Sequence, residues 1–261
     1  MPLKRSVSVC NSLGLPSPEL VEFAPFLYQD IQEILTNTDA MISLINNNLV
    51  AMDNCRVLDL CCAKGTSLLR IAKRFSISGI GVDLSEFFIA DAKLTAVQHK
   101  LKQQLKFVCQ DANQFLSSNQ EQFDIIIFQF VEDLIGSFPD TLKALATHLK
   151  PNGHLIIDTH YESQGYTPGV AATDASGAKS IELYIAESEL VSKSRIGESR
   201  DEIEKRMGKE YNLLSKRAHE LQKQHPELEQ DINQFLLSHR KLQRQLLAGD
   251  IYHATWLLAK I

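Results

Sequence analysis

The sequence predicts an α/β protein built on a doubly wound, mostly parallel β-sheet. Two observations support this prediction: five short apolar runs that are typical of buried strands, and intervening segments whose apolar residues recur at helical spacing. The runs begin at Arg56, Gly79, Leu105, Phe123 and His154. Because a helical segment separates most runs from the next, the strands are expected to lie parallel in one sheet.

The first fifty residues are predicted to be helical. The pair Ser17-Pro18 provides an N-cap and a proline at the first helical position. Apolar residues then recur every three or four positions up to Ile34, and Pro25 is expected to kink or break this helix. A second, short helix is predicted from Thr38 up to the polar run that starts at Asn46.

In the sheet region, strands and helices alternate. The first strand, Val57–Leu60, leads into apolar residues at helical spacing, and Ser85 is the predicted N-cap of the helix after the second strand. The third and fourth strands are predicted at Leu105–Val108 and Phe123–Phe128. A further helix follows, and the turn Pro151–Gly153 then introduces the fifth strand.

Beyond the fifth strand the pattern changes. Residues Ser163–Ser180 are rich in Gly, Ser, Thr, Ala and Pro and predict a long loop. Ile181–Ile185 is predicted to be a sixth strand, and two helical segments on either side of Pro226 predict a helical hairpin. The apolar run His253–Ala259 predicts a buried final strand.

These patterns divide the chain into three predicted segments. Residues 1–50 are a helical lead-in or lid, residues 51–162 are the ligand-binding α/β core, and residues 163–261 carry a lid loop, the hairpin and the strand that completes the sheet. The hairpin has two interpretations, a cap over a substrate site or a surface that pairs with another subunit in a homodimer.

The composition excludes several classes of protein. With 44% hydrophobic and 23% charged residues the chain is an ordinary globular protein. A net charge of −5 argues against nucleic acid as a partner, and no apolar run reaches the roughly 18 residues that span a bilayer. The five cysteines lack zinc-site spacing, so we expect reduced thiols, no metal and a cytoplasmic location.

Acidic residues lie where the predicted strands end, the edge at which open parallel sheets bind ligands. Asp83 closes the second strand and is suited to accept hydrogen bonds from ribose hydroxyls. Asp59 closes the first strand, where it could orient the loop amides or meet an ammonium group. Asp111 ends the third strand and Gln129 the fourth.

A nicotinamide-dependent oxidoreductase is the first alternative. Its fingerprint requires glycines at three positions of the loop after the first strand, and these positions hold Cys61, Ala63 and Thr66. None of them is glycine, which disfavours an NAD(P) site.

The motifs resemble those of class I S-adenosylmethionine-dependent methyltransferases of the small-molecule type. In that family the first motif reads Asp/Glu-x-Gly-x-Gly-x-Gly, which aligns with Asp59, Cys61, Ala63 and Gly65, so one glycine of the three is present. The later motifs match in order and spacing, and cover about 105 residues together with the first. They are Gly81–Ser85, Gln110–Ala112, Phe123–Ile126 and Leu149–Leu155.

The resemblance implies a Rossmann-like sheet of seven strands, the last of them antiparallel, and S-adenosyl-L-methionine as cofactor. It implies ribose contacts from the segment that holds Asp83 and Leu84, adenine contacts from Asp111 and Ala112, and contacts with the methionine moiety from the first loop and Gln129. The expected reaction is methyl transfer to an N, O, S or C atom of a small molecule. A non-catalytic partner protein that retains this fold is the second alternative, because the first motif has lost two glycines.

A general base is optional for methyl transfer, since the reaction depends mainly on in-line placement of the acceptor. Any such base is expected at the ends of the fourth and fifth strands, where the candidates are His160 and Glu132, followed by Asp133 and Glu162. Tyr28 and Tyr161 are candidates to line the acceptor pocket. Cys61 and Cys62 are expected to be small apolar fillers, and Lys64 a solvated loop residue.

Overall fold

Seven β-strands and nine α-helices occur in the residues that the computed structural model describes, namely 10, 13–34, 36–50, 52–129, 134–162 and 178–261. The strands are β1 (Arg56–Leu60), β2 (Ser78–Asp83), β3 (Leu105–Cys109), β4 (Phe123–Gln129), β5 (Leu149–Glu162), β6 (Leu190–Gly197) and β7 (Ile251–Lys260). The helices are α1 (Ala24–Leu27), α2 (Thr38–Asn48), α3 (Thr66–Arg74), α4 (Glu86–Gln98), α5 (Ala112–Ser118), α6 (Phe138–Thr147), α7 (Ala178–Ala186), α8 (Arg200–Gln224) and α9 (Glu229–Ala248).

The strands form one mixed sheet in the order β3-β2-β1-β4-β5-β7-β6. Strands β1 to β5 pair in parallel, whereas β6 and β7 pair antiparallel. The doubly wound, mostly parallel, seven-stranded sheet predicted from the sequence is therefore confirmed. The strand order reverses between β1 and β4, and ligands of such sheets bind at this point, beyond the carboxyl ends of the strands.

Helices cover both faces of the sheet because alternate strand residues point to opposite sides and are apolar on both. On one face Val57, Ile125 and Ile156 pack with α2, α3 and α4. On the other face Leu58 and Ile126 pack with α5, α6 and α7. The sheet is thus the middle of three layers.

The predicted strand at Ile181–Ile185 is wrong, since these residues lie in helix α7. Ile181 and Ile185 are buried four positions apart, while Leu183 between them is 58% exposed. Burial therefore follows the period of a helix. The sixth strand is β6, whose side chains are mostly exposed beyond Leu190, so it lacks the apolar pattern that would have indicated a strand.

The helix predicted up to Ile34 is shorter than expected. A 3-10 turn, Pro18–Phe23, leads into α1, and Pro25 lies in the first turn of α1, where its missing N–H costs no hydrogen bond. Pro25 thus helps to begin a helix that it was predicted to interrupt. Ile31 and Ile34 are buried in non-helical backbone, which explains their apolar character without a helix. Of the predicted loop Ser163–Ser180, residues 163–177 lie outside the described residues, and the prediction is wrong for the last three, which begin helix α7.

The chain divides into two compact units. One contains Glu33–Gly197 and Tyr252–Ile261, with the sheet and helices α2 to α7. The other contains Met1–Gln32 and Glu198–Ile251.

The second of these units holds the helical hairpin, which is confirmed with Pro226 at its turn. Ser199 and Glu202 form a capping box that begins α8. Inside this unit the hydroxyl of Tyr28 donates to the carbonyl of Leu13 at 2.7 Å. No helix of the described residues has both the length and the apolar character needed to cross a membrane.

We predict that Leu58→Ala lowers the free energy of unfolding by about 2–5 kcal/mol, because it opens a cavity under the central strand β1. Leu58 is completely buried. The matched control is Leu94→Ala on α4, where the side chain is 58% exposed and the expected change is within about 0.5 kcal/mol. Urea unfolding followed by circular dichroism measures both, and equal losses would contradict the assignment of Leu58 to the core.

Candidate functional site

The loop between β1 and α3 has left-handed backbone at the positions where the family motif has glycine. The φ angles are 63° at Cys61, 45° at Ala63 and 68° at Gly65. The Gly65 amide donates to the Cys62 carbonyl at 2.7 Å, which closes the turn. The loop therefore adopts a glycine-type path even with cysteine and alanine, at a strain of roughly 1–2 kcal/mol for each non-glycine residue.

The carboxylate of Asp83 holds this loop in place. Its Oδ2 accepts the Ala63 amide at 2.8 Å, and its Oδ1 accepts the Ser85 amide at 2.8 Å. The contact that orients the loop amides is thus made by Asp83, whereas the sequence analysis had considered Asp59 for this task. Burial raises the pKa of Asp83, while the amides of Ser85 and Ala63 act in the opposite direction.

Asp59 is buried at the end of β1 with one oxygen, Oδ2, that has no hydrogen-bond partner among the described residues. The carboxyl group accepts the backbone amide of Leu68 at the start of α3. Burial, followed by repulsion from Asp83, raises the pKa of Asp59 to about 8. A cationic ligand that reached this oxygen would satisfy it and stabilise its ionised form.

The ends of β3 and β4 add further polar groups to the same edge of the sheet. Asp111 is the N-cap of α5, with its Oδ1 accepting the Gln114 amide at 3.0 Å, and Ala112 is buried next to it. Leu84 and Gln129 are half-buried at the ends of β2 and β4. Gln129 pairs in register with Asp158 of β5.

Three carboxylates surround the loop at Cys61. Burial raises the pKa of this thiol well above its ordinary value, and the charges of Asp83, Asp59 and Asp111 raise it further. Cys61 and Cys62 are not in a disulfide. Asp83 and Asp111 beside the loop disfavour an anionic pyrophosphate, which adds a second argument against a nicotinamide dinucleotide.

The prediction that Lys64 is solvated is wrong. Its side chain is buried, and its Nζ lies 3.7 Å from Oδ2 of Asp91 on α4. The long aliphatic stem of lysine can be buried while its ammonium group reaches a carboxylate, and the sequence spacing does not reveal this.

A second polar cluster lies at the ends of β5 and β7. Asp158 is buried and accepts the Thr255 hydroxyl at 2.5 Å and the Asn37 amide at 3.0 Å. Nε2 of His253 lies 3.3 Å from its Oδ1. Burial raises the pKa of Asp158, but the contacts with His253, Thr255 and Asn37 outweigh it and hold the pKa below the ordinary value. Asp158 is therefore ionised at neutral pH.

His160 joins this cluster. Its ring centroid lies 4.8 Å from that of His253, with the rings tilted by 47°. The other base candidates are less informative, because Glu132 and Asp133 lie outside the described residues and only the backbone of Glu162 is described.

The two tyrosines nominated for the acceptor pocket have separate environments. Tyr161 packs against Tyr252 with ring centroids 5.6 Å apart. Tyr28 is buried inside the unit that holds the hairpin, where its hydroxyl has a backbone partner. Ordinary packing accounts for Tyr28.

No role is predicted from the sequence for His253, Thr255 or the side chain of Asp158. One signal was available: Asp158 ends an apolar strand in the same way as Asp59. His253 and Thr255 are two positions apart in the apolar run of β7, which puts both side chains on one face of the sheet.

We predict that Gly65→Ala lowers the free energy of unfolding by about 2–4 kcal/mol. A Cβ at this position would lie 2.4 Å from Cε1 of Phe107, and φ would remain left-handed. The matched change in the same loop is Ala63→Gly, which should alter stability by less than about 1 kcal/mol, because relief of strain offsets the extra freedom of glycine. Thermal unfolding measures both variants, and a neutral Gly65→Ala would refute the described loop path.

We predict that Asp59 makes the ligand-free protein less stable as pH rises. Its pKa increases from 3.8 to about 8 on folding. Between these two pH values the folded state binds more protons than the unfolded state, so the free energy of unfolding decreases as pH rises. Asp59→Asn removes this titration. Relative to the wild type, the variant should gain at least about 1 kcal/mol between pH 5 and pH 8.

Chemical denaturation at several pH values tests this prediction, with the exposed Asp53→Asn as control. The control should run parallel to the wild type. A parallel curve for Asp59→Asn as well would show that Asp59 ionises normally in the folded protein.

The known proteins that resemble this chain in sequence include a methyltransferase. An uncharacterized Escherichia coli protein, YjhP, is 30% identical over 109 residues, which cover 42% of this chain and 43% of YjhP. A ubiquinone biosynthesis O-methyltransferase of Bartonella tribocorum is 30% identical over 112 residues, covering 43% and 44% of the two chains. The chain thus matches less than half the length of these curated relatives.

Solved structures share the fold over nearly the whole chain. A methyltransferase of Geobacter sulfurreducens in complex with S-adenosyl-L-homocysteine superposes with a TM-score of 0.76 at 18% identity, covering 92% of this chain and 98% of that one. The structure of YjhP superposes with a TM-score of 0.74 at 17% identity, covering 91% and 100%. The family profile described as a methyltransferase domain matches residues 51–227. This chain belongs to that methyltransferase family.

Proposed function

We propose that this protein is an enzyme that transfers a methyl group from S-adenosyl-L-methionine to a small-molecule acceptor and releases S-adenosyl-L-homocysteine. The observation that carries the proposal is the buried Oδ2 of Asp59 at the switch point of the sheet, which has no hydrogen-bond partner in the described part of the chain. This oxygen is suited to a cation, and the cofactor carries an ammonium group on its methionine moiety.

The remaining residues of the site fit the other parts of the cofactor. The Asp83 carboxylate accepts the amides of Ala63, Ser85 and Leu84, and a carboxylate has about four lone-pair positions, so one is left for a ribose hydroxyl. We assign the adenine to Asp111 and Ala112. The amide of Gln129 is assigned to the methionine moiety.

The loop would contribute shape more than charge. Cys61, Ala63 and Gly65 have small side chains, and their left-handed backbone leaves room for a ligand to approach the main chain. When bound, the sulfonium supplies an electrophilic methyl group, so the contribution of the protein is to place the acceptor in line and to exclude water.

A small-molecule acceptor is supported by two further observations. The net charge of −5 opposes a polyanionic acceptor such as nucleic acid. Two curated relatives are ubiquinone biosynthesis O-methyltransferases. We also propose a cytoplasmic location, because the five cysteines are odd in number and lack paired spacing.

Isothermal titration calorimetry tests the proposed cofactor. S-adenosylmethionine and S-adenosylhomocysteine should both bind, whereas NADH and NADPH should not. Asp83→Asn removes the charge and one acceptor oxygen, and should weaken both affinities by about 10-fold or more. The exposed Asp53→Asn should bind like the wild type.

The variants need a folding control, because Asp83 also holds the loop. Circular dichroism and thermal unfolding identify any loss of structure in Asp83→Asn. Binding of a nicotinamide cofactor alone, or of no nucleoside by the folded wild type, would refute the proposed function.

A further inference from the structure

We propose that His160 is a general base, positioned by His253 and Asp158, and that the methyl acceptor is a phenolic hydroxyl compound. This inference rests on the proposed function and goes beyond it by naming the class of acceptor. His160 would touch the acceptor and is the catalytic residue, while His253 and Asp158 act through it as positioning residues.

The first support is the location of the cluster. Side chains alternate across the sheet, and Gln129 is paired with Asp158, so Asp59, Gln129, Asp158 and His160 all point to the same face. Asp158 is level with Gln129 of the neighbouring strand β4, and His160 lies two residues further along β5, so the backbones of Gln129 and His160 are about 8 Å apart at the usual strand spacing and rise. His160 therefore lies beside the proposed methionine site, at a distance that leaves room for an acceptor.

The second support is the rigidity of the carboxylate. Asp158 is buried and accepts hydrogen bonds from the Thr255 hydroxyl, the Asn37 amide and, at 3.2 Å, the Thr36 hydroxyl. Two strands and the segment before α2 thus hold one ionised group. A fixed buried carboxylate can orient an imidazole ring and stabilise its positive charge.

The third support is the pair of rings. His253 is buried and faces Asp158 through Nε2, which favours the tautomer with a proton on that nitrogen. The ring of His160 packs against the ring of His253 with centroids 4.8 Å apart and is half-exposed, so the contact that positions it is ring packing. One negative charge on Asp158 compensates one positive charge on the pair, whereas a second positive charge would be repelled. Thr36, Asn37 and Thr255, the other groups on Asp158, do not titrate.

In the proposed step, a ring nitrogen of neutral His160 accepts the hydroxyl proton while the acceptor oxygen attacks the methyl carbon. The new C–O bond forms as the C–S bond breaks, and its electron pair stays on sulfur. The products are the methyl ether, S-adenosylhomocysteine and protonated His160, which returns its proton to solvent. No oxidant, reductant or further reactant is needed.

A base at this position favours a hydroxyl acceptor over an amine. A neutral amine already has a nucleophilic lone pair and loses its proton after the methyl group has moved. A hydroxyl oxygen is a weak nucleophile until its proton is removed as the bond forms. Among hydroxyl compounds, phenols have a pKa near 10 and are within reach of imidazole as a base, whereas aliphatic alcohols are far less acidic.

The test measures transfer of radiolabelled methyl from S-adenosylmethionine to defined probes. Catechol and 4-hydroxybenzoate are the phenols, phenethylamine is the amine and dithiothreitol is the thiol. The wild type should methylate a phenol. His160→Gln should lower that rate by about 100-fold or more while its affinity for S-adenosylmethionine stays unchanged.

The controls separate a base from a structural role. His253→Gln and Asp158→Asn should lower the rate and move the acidic limb of its pH profile, and the exposed His99→Gln should do neither. Histidine NMR of the ligand-free protein gives a readout without turnover. His160 and His253 should titrate as a coupled pair whose curves shift in Asp158→Asn.

Several outcomes would overturn the inference. They are phenol methylation at the wild-type rate in His160→Gln, methylation of the amine or thiol probe alone, and no methylation of either phenol by a wild type that binds S-adenosylmethionine. Failure of the wild type to bind S-adenosylmethionine would instead refute the proposed function, so the two failures are distinguishable.

Discussion

The carboxylate of Asp83 is the contact on which the candidate cofactor site depends. It joins two strand ends, because it accepts the amide of Ala63 in the loop after β1 and the amide of Ser85 at the start of α4. Without an acceptor in this position, the strained backbone at Cys61 and Ala63 would relax, since nothing else described fixes the Ala63 amide. Burial raises the pKa of Asp59, and repulsion from the same Asp83 carboxylate raises it further, which favours the neutral acid until a cation binds. Asp83 therefore influences both the shape of the loop and the protonation of Asp59.

Much of the fold was predictable from the sequence, because β1, β4 and β5 are buried on both faces and their apolar runs are unmistakable. The acids at the strand ends were predictable for the same reason, since Asp59 and Asp83 interrupt such runs. The wrong secondary-structure predictions are those in which the apolar pattern of the sequence does not identify the element that forms. Ile181–Ile185 contains apolar residues at both helix and strand spacings, and only tertiary packing selects the helix. The backbone of Cys61 and Ala63 was unpredictable because its strain is offset by a residue some twenty positions away.

The two acid clusters use the same chemistry for different purposes. Asp59 lacks a partner for one oxygen and is poised to receive a ligand, whereas Asp158 is saturated by protein donors and serves as a fixed charge. Their opposite pKa shifts follow from this difference. The cluster at Asp158 went unassigned from sequence because its members come from three distant segments, before α2, at the end of β5 and within β7. Only the folded sheet brings them together.

Strand β6 lies at one edge of the sheet and exposes nearly every side chain, including Lys193. An open edge has unpaired backbone groups that can recruit a strand from another molecule, and exposed charges make such recruitment costly. Arg195 adds to this protection while its guanidinium stacks on Trp256 at 4.7 Å, so it also covers a large buried ring. Because β6 lacks an apolar pattern, it was not predicted as a strand. The same exposed polar side chains disfavour pairing of this edge with a strand of another molecule.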